Sequence, residues 1–324
     1  MMDSLTSAPE FSASQWLQQL SADGISLGLT ELLWYQRYTR VLDLAPGMAL
    51  QSKLAGTYLA RSKGRGMEFD EVRHYQPGDD VRTIDWRVSA RTGKVHTKLF
   101  REEKERPVFI LTDLGSSMRF GSGLLFKSVQ AAHLAALLAW HVKQHGDKLG
   151  GLVFSQQQHR ELKPQSRAQG VLRYFHALQQ VHQADTLKQG LTLPEALSQI
   201  RRLVRPGSLL FVLSDFTQFN EDGLRHLRAI RQHNEVTCCL LTDPLEQALP
   251  QTSNGQAAIT DGRQTGWLEL GSKHLKQLYQ QQQQQQYSLL QQKLRQIGCK
   301  RLTVSAGAPL LAQLESRLEN QTHG

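Results

Sequence analysis

Over 324 residues, 40% of them hydrophobic, the chain is long enough to bury a sizeable core, as one large domain with an appendage or as two modest ones. It holds no run of about 18 uninterrupted apolar residues, and the start, MMDSLTSAPEFSASQW, lacks the basic flank and apolar stretch of a secretory leader, so the expectation is a soluble cytoplasmic protein. A formal charge of +9 invites nucleic acid, but basic residues alternate with acids, as in Arg101-Glu102-Glu103-Lys104-Glu105-Arg106, and there is no aromatic-basic stacking motif, so an acidic protein surface is the better-fitting partner.

The first stretch, 1–60, reads as a helical segment, with Leu17, Leu20, Leu27, Leu29, Leu32 and Leu33 set among polar residues. Residues 61–106 read as a charged, strand-rich subdomain in which Pro77-Gly78 and Thr92-Gly93 punctuate short β-like runs. Phe69, Val72, Tyr75, Val81, Ile84, Trp86 and Val88 would supply its small core. Trp86 is the largest of them, and its truncation to alanine would cost roughly 3–5 kcal/mol. Arg73, Arg82 and Arg87 alternate with Asp79, Asp80 and Asp85, offering both charge signs to a partner in a way that suits specificity and association rate.

Residues 107–324 change character. Apolar runs of strand length at 108–112, 149–154, 208–213, 236–241 and 302–305 are separated by helical stretches near 124–145, 167–182, 193–204, 221–233 and 272–297. That alternation predicts a mostly parallel sheet covered on both faces, with one antiparallel edge strand made by the return at 159–163. Cys238 and Cys239 are adjacent and would point to opposite faces of a strand, so they and Cys299 read as core residues in a reducing compartment. The glutamine run 280–286 lies inside a helical pattern and reads as a solvated helix.

In a doubly wound sheet, ligands bind beyond the carboxyl ends of the strands, where strand order reverses. Asp113 to Ser117 follow the first run, Asp215 follows the run at 208–213, and Thr192 stands just before a helix. Carboxylates, hydroxyls and water are the oxygens a hard cation such as Mg²⁺ takes. The order Asp-x-Ser-x-Ser, then Thr, then Asp resembles the metal-ion-dependent adhesion site of von Willebrand A domains, matched by Asp113, Ser117, Thr192 and Asp215; Gly115 stands where the motif has its first serine. The stretch GRGMEFDEVRHYQPGDDVRTIDWRVSARTGK at 64–94, followed by 101–107, resembles the signature of the bacterial family called domain of unknown function 58 (DUF58). That resemblance implies a von Willebrand A-like doubly wound domain encoded beside a MoxR-type AAA+ ATPase, and a role in assembling or activating other protein complexes. Many members carry N-terminal membrane spans, for which this sequence has no counterpart.

Gly115 removes a hydroxyl ligand, which leaves either a degraded Mg²⁺ site or a structural turn in which Asp113 caps backbone amides. Gly115→Ser would then strengthen divalent binding and Asp113→Ala would abolish it. Catalytic readings find less support. Gly121 to Ser128 stands between strand and helix, but Phe126 precedes Lys127 where a phosphate loop needs glycine. His141 and His145 share a helix face without a third ligand, and no Gly-x-Ser-x-Gly elbow surrounds Ser116 or Ser117. The expected function is therefore a non-enzymatic adaptor that works with a MoxR-type ATPase and a client protein, the partner's carboxylate completing the metal shell. The alternative is a Mg²⁺-dependent hydrolase or nuclease in which Asp113 and Asp215 hold the ion and the basic insertion grips phosphate.

Overall fold

The computed structural model describes residues 13–44, 67–102, 106–184, 190–249, 256–260, 265–269 and 273–322. Three short helices come first: α1 (Ala13–Leu20), α2 (Leu29–Trp34) and α3 (Arg40–Leu44). They belong to the same compact unit as everything from Arg106 onward, while 51–105 form a second unit. The sequence divides the chain at 60 and 106 instead, giving the N-terminal helices a segment of their own. Their place with the later residues follows from the helix they cover, described below.

In the second unit, β1 (Met67–His74) pairs antiparallel with β2 (His96–Glu102), and between them lies a helix, α4 (Trp86–Thr92). The sequence reads short β-like runs between Gly78 and Thr92; the helix forms because Asp85 caps it, its carboxylate accepting from the Arg87 and Val88 amides at 3.1 Å, and Gly93 ends it. Trp86 is 70% exposed and Val81 61% exposed, which corrects the expectation that they form the core of this unit. Val72, Tyr75, Ile84 and Val88 are half-buried; the Phe69 side chain and residues 61–66 and 103–105 lie outside the described residues. Helical phase explains the difference, since the first residue of a capped helix points away from the strands that its third residue meets. Trp86→Ala is accordingly expected to change stability by no more than about 1 kcal/mol, read from urea midpoints, in place of the larger loss a core tryptophan would give.

The remaining elements follow in order: β3 (Pro107–Asp113), α5 (Lys127–Gln144), β4 (Lys148–Phe154), β5 (His159–Gln165), α6 (Arg167–His182), α7 (Leu193–Leu203), β6 (Leu209–Ser214), α8 (Glu221–Arg231), β7 (Glu235–Thr242), α9 (Pro244–Gln247), β8 (Gln256–Thr260), β9 (Thr265–Glu269), α10 (Lys273–Gln296), β10 (Lys300–Ser305) and α11 (Leu310–Thr322). Six of the strands form one sheet in the order β10-β7-β6-β3-β4-β5, all parallel except β5 at the edge. This is the doubly wound, von Willebrand A-like sheet the sequence predicts. The inner strands β3, β4, β6 and β7 are largely apolar because both faces are covered, while the edge strands β5 and β10 carry polar residues. Val108 and Ile110 face the core shared with α5, α6 and the N-terminal helices, while Phe109 and Leu111 face the core shared with α7, α8 and α10. Cys239 and Cys238 divide between the same two cores. The glutamine run sits on α10 and is mostly exposed. The antiparallel pair β8-β9 has no counterpart in the sequence reading.

Helix α5 is buried from Lys127 to Val142. A helix apolar on all sides needs cover on every face, and the N-terminal helices supply it on the side away from the sheet. Trp140 donates from its indole to the Leu32 carbonyl at 3.0 Å, and Glu31 lies 2.9 Å from the His133 ring.

Candidate functional site

Numbered in chain order, the six sheet strands run 3-2-1-4-5-6, so strand order reverses between β3 and β6, and the crevice for a ligand opens beyond their carboxyl ends. Asp113 is the last residue of β3, Asp215 follows β6 and Asp243 follows β7. Each of these three neighbouring strands therefore delivers a carboxylate to one end of the sheet. The Ser214 hydroxyl donates to Asp113 at 2.7 Å, which ties the ends of β3 and β6 together. Phe216, buried and with φ of +58°, turns the chain sharply after Asp215, an uncommon conformation for a bulky residue.

The first residue of α5 completes the cluster. Lys127 is fully buried, its ammonium donating to Asp215 at 2.8 Å and also to Glu246 on α9. A cation at a helix N-terminus opposes the helix dipole and a buried one opposes desolvation, so Lys127 is held there by its two carboxylates. Burial works against its charge, but Asp215 and Glu246 outweigh it and raise the ammonium's pKa. Burial likewise pushes Asp215 up, and the Lys127 ammonium and the Thr217 donors pull it below the ordinary carboxylate range. Glu246 ends above that range, with burial the main cause. Asp113, with only the Gly115 amide and Ser214 as donors, is pushed up to about 7 by burial and by the nearby Asp215 charge.

The four residues predicted as metal ligands separate into two groups. Asp113 and Asp215 come together as described. Ser117 lies beside them, its hydroxyl 3.2 Å from that of Thr217, which in turn donates to Asp215 at 2.8 Å. Thr192 is occupied at the start of α7, its amide and hydroxyl both donating to Glu195 at 2.7 Å; among the described residues no hydrogen bond joins it to the other three. Gly115 is not an open gap. A side chain there would run into the carboxamide of Gln156, 2.7 and 2.9 Å away, whose oxygen accepts from the Ser116 amide at 2.9 Å.

Each carboxylate oxygen of Asp113 and Asp215 already takes a donor, the Gly115 amide and Ser214 on Asp113, Thr217 and Lys127 on Asp215, and the buried Lys127 ammonium brings to Asp215 a positive charge that repels a divalent ion. Among the described residues, no three of His, Cys, Asp and Glu gather as a metal-binding group. The donor set therefore does not fit the Mg²⁺ that the motif resemblance implies. Gln156, Asp243 and Glu246 escaped the sequence reading, and Lys127 entered it only as the lysine of a failed phosphate loop; Asp243, directly after an apolar strand, carried the same signal as Asp215.

The residues expected to bind a partner lie in the second unit. Arg73 pairs with Asp79 at 2.7 Å, Asp80 accepts from the Arg82 amide at 3.0 Å, and Asp85 caps α4 with Lys98 3.5 Å away. These acids are spent on local structure. Arg82 and Arg87 are exposed and make no side-chain ion pair among the described residues, so this surface offers mainly positive charge around Trp86.

A doubly wound α/β domain with an internally bonded polar site at its switch point defines a fold class whose functions vary widely. Within that class, the chain belongs to the family described as "Protein of unknown function DUF58", which matches residues 71–288. It is 29% identical over 215 residues to "Uncharacterized protein Rv1480" of Mycobacterium tuberculosis, covering 66% of this chain and 67% of that one. Among solved structures, the conserved hypothetical protein BatB from Bacteroides thetaiotaomicron aligns with TM-score 0.44 at 17% identity, over 67% of this chain and 98% of that one. A von Willebrand factor type A protein from Catenulispora acidiphila aligns with TM-score 0.30 at 14% identity, over 45% of this chain and 35% of that one. Among the described residues no helix is long and apolar enough to cross a membrane.

Proposed function

We propose that this protein is a non-enzymatic adaptor whose strand-end face docks a protein partner, and that the partner is a MoxR-type AAA+ ATPase acting with it on a client complex. The observation that carries the reading is that the polar groups of the switch-point site are matched to one another, Lys127 to Asp215 and Glu246, and Ser214 to Asp113, beside exposed hydroxyls at Ser116 and Thr217. Such hydroxyls suit hydrogen bonding to a protein surface. The choice of ATPase rests on what the resemblance at 64–107 implies, a MoxR-type neighbour. Hydrolysis by Asp113 as general base gains from its near-neutral pKa, but the residue is 6% exposed and each of its oxygens already accepts a hydrogen bond, which favours the adaptor reading over it.

The test uses the purified chain with the MoxR-type ATPase of the same genome, held in its ATP state by a non-hydrolysable analogue. Binding is expected, weakened at least about tenfold (1.4 kcal/mol) by Ser116→Arg on the strand-end rim and also by Arg82→Glu, with both variants folding normally. No binding in any nucleotide state would end the adaptor reading. Turnover of a phosphomonoester or phosphodiester that disappears in Asp113→Asn would establish the hydrolase alternative.

A further inference from the structure

We infer that Lys127 is the resident cation of the strand-end site: its ammonium and the Gln156 carboxamide take the places of a divalent ion and of the hydroxyl missing at Gly115, so the site is complete without metal. This goes beyond the adaptor reading and is tested on the chain alone, with no partner present.

Two independent features carry it. The first is the ammonium. Lys127 is fully buried, and two of its three N–H donors go to Asp215 and Glu246, so it neutralises the carboxylate that a metal would otherwise hold. An ammonium differs from Mg²⁺ in reaching its oxygens at hydrogen-bond distance, 2.8 Å to Asp215, against about 2.0–2.1 Å for the metal. A carboxylate set spaced for one is badly spaced for the other, and a divalent ion added beside a buried ammonium meets like-charge repulsion at low dielectric. The second feature is the plug at Gly115. The direction a serine side chain would take is filled by the Gln156 amide, which is anchored on the Ser116 amide. Gly190 lies against the Gln156 backbone, where a side chain would meet it at 2.0 Å, so the loop carrying Gln156 is packed tightly in place.

Lys127 does for this fold what a bound cation does elsewhere, at no dependence on ion supply. Its position on the first residue of α5 also ties that helix to the ends of β6 and β7, so the charge arrangement and the shape of the docking face are set together.

The experiment follows Mn²⁺ alone, by the electron spin resonance of the free ion and by thermal unfolding of the full chain at neutral pH. The native protein is expected to leave the free-ion signal and Tm unchanged, and so is Gly115→Ser, because Lys127 remains. Lys127→Met is expected to lower Tm by roughly 5–10 °C and to recover part of that loss with Mn²⁺, whereas Lys127→Arg, which keeps the charge, loses less and gains nothing from Mn²⁺. Mn²⁺ uptake by the native chain that Asp113→Asn abolishes would overturn the inference. So would Lys127→Met with native stability, since the ammonium would then be dispensable. Should Lys127→Met fail to fold, the native and Gly115→Ser titrations decide: uptake by either that is lost with Asp113→Asn overturns the inference, and none in both upholds it.

Discussion

Relative to Asp113→Asn, the native protein is expected to lose about 4 kcal/mol of stability as pH rises from about 4 to about 7, and to lose no more above that. The sign follows from the direction of the shift. Asp113 ordinarily ionises near 3.8, and the fold holds it at about 7 because burial and the Asp215 charge disfavour its carboxylate. Between those values the unfolded chain releases the proton and the folded chain keeps it, so each step up in pH favours unfolding. Other groups titrate with different signs. Asp215 is pulled down, mainly by Lys127 acting against burial, and its contribution is lost as pH falls below the ordinary carboxylate range. His182 is lowered by burial and by Arg119, so it weakens the fold as pH falls through 6.5. Both proteins retain those groups, and the difference between their pH curves isolates Asp113. Urea midpoints for the pair across this range provide the measurement, and parallel curves would show that Asp113 ionises normally in the folded state.

Gly151→Ala is expected to cost about 3 kcal/mol, at the upper end for inserting a methyl group into a packed core. Gly151 lies on β4 opposite Ile110 of β3, and a β-carbon there would stand 2.3 Å from the Ile110 carbonyl oxygen and 2.7 Å from the Tyr174 ring. The ring belongs to α6 and is fully buried, with its hydroxyl 2.7 Å from that of Thr112 and donating to the Ile110 carbonyl at 3.2 Å. The strand carbonyl cannot step aside without breaking the β3-β4 ladder, and the ring cannot move without giving up its hydrogen bonds to Ile110 and to Thr112, the residue before Asp113. Gly123→Ala is the control, since its β-carbon would meet only Gly307 at 3.4 Å, and a change within about 0.5 kcal/mol is expected. Equal Tm values for the two variants would mean that β4 and α6 are less tightly packed than their distances imply.

The sheet was legible because its signal is local. The runs at 108–112 and 208–213 are almost wholly apolar, as strands covered on both faces must be, and an aspartate follows each within two residues. With right-handed crossovers, that is enough to bring Asp113 and Asp215 to one end of a parallel sheet. The separation of Cys238 from Cys239 follows from strand alternation alone. Side-chain pairing across the fold has no such local trace. Lys127 reads locally as a failed phosphate loop, and its partners Asp215 and Glu246 are 88 and 119 residues away. Gln156 is one loop glutamine in a glutamine-rich chain until the β3 and β4 ends stand side by side and place it over Gly115. Trp86 looked like core because composition records the size of a ring and not its direction, which the Asp85 cap and the helical phase of α4 decide. The sequence by itself determined the alternation of strands and helices and the aspartates at the strand ends, since both depend on neighbours in the chain. The tertiary structure alone decided that Asp215 faces an ammonium, because that choice depends on which helix end the strand order brings within about 3 Å, the reach of a charge-assisted hydrogen bond.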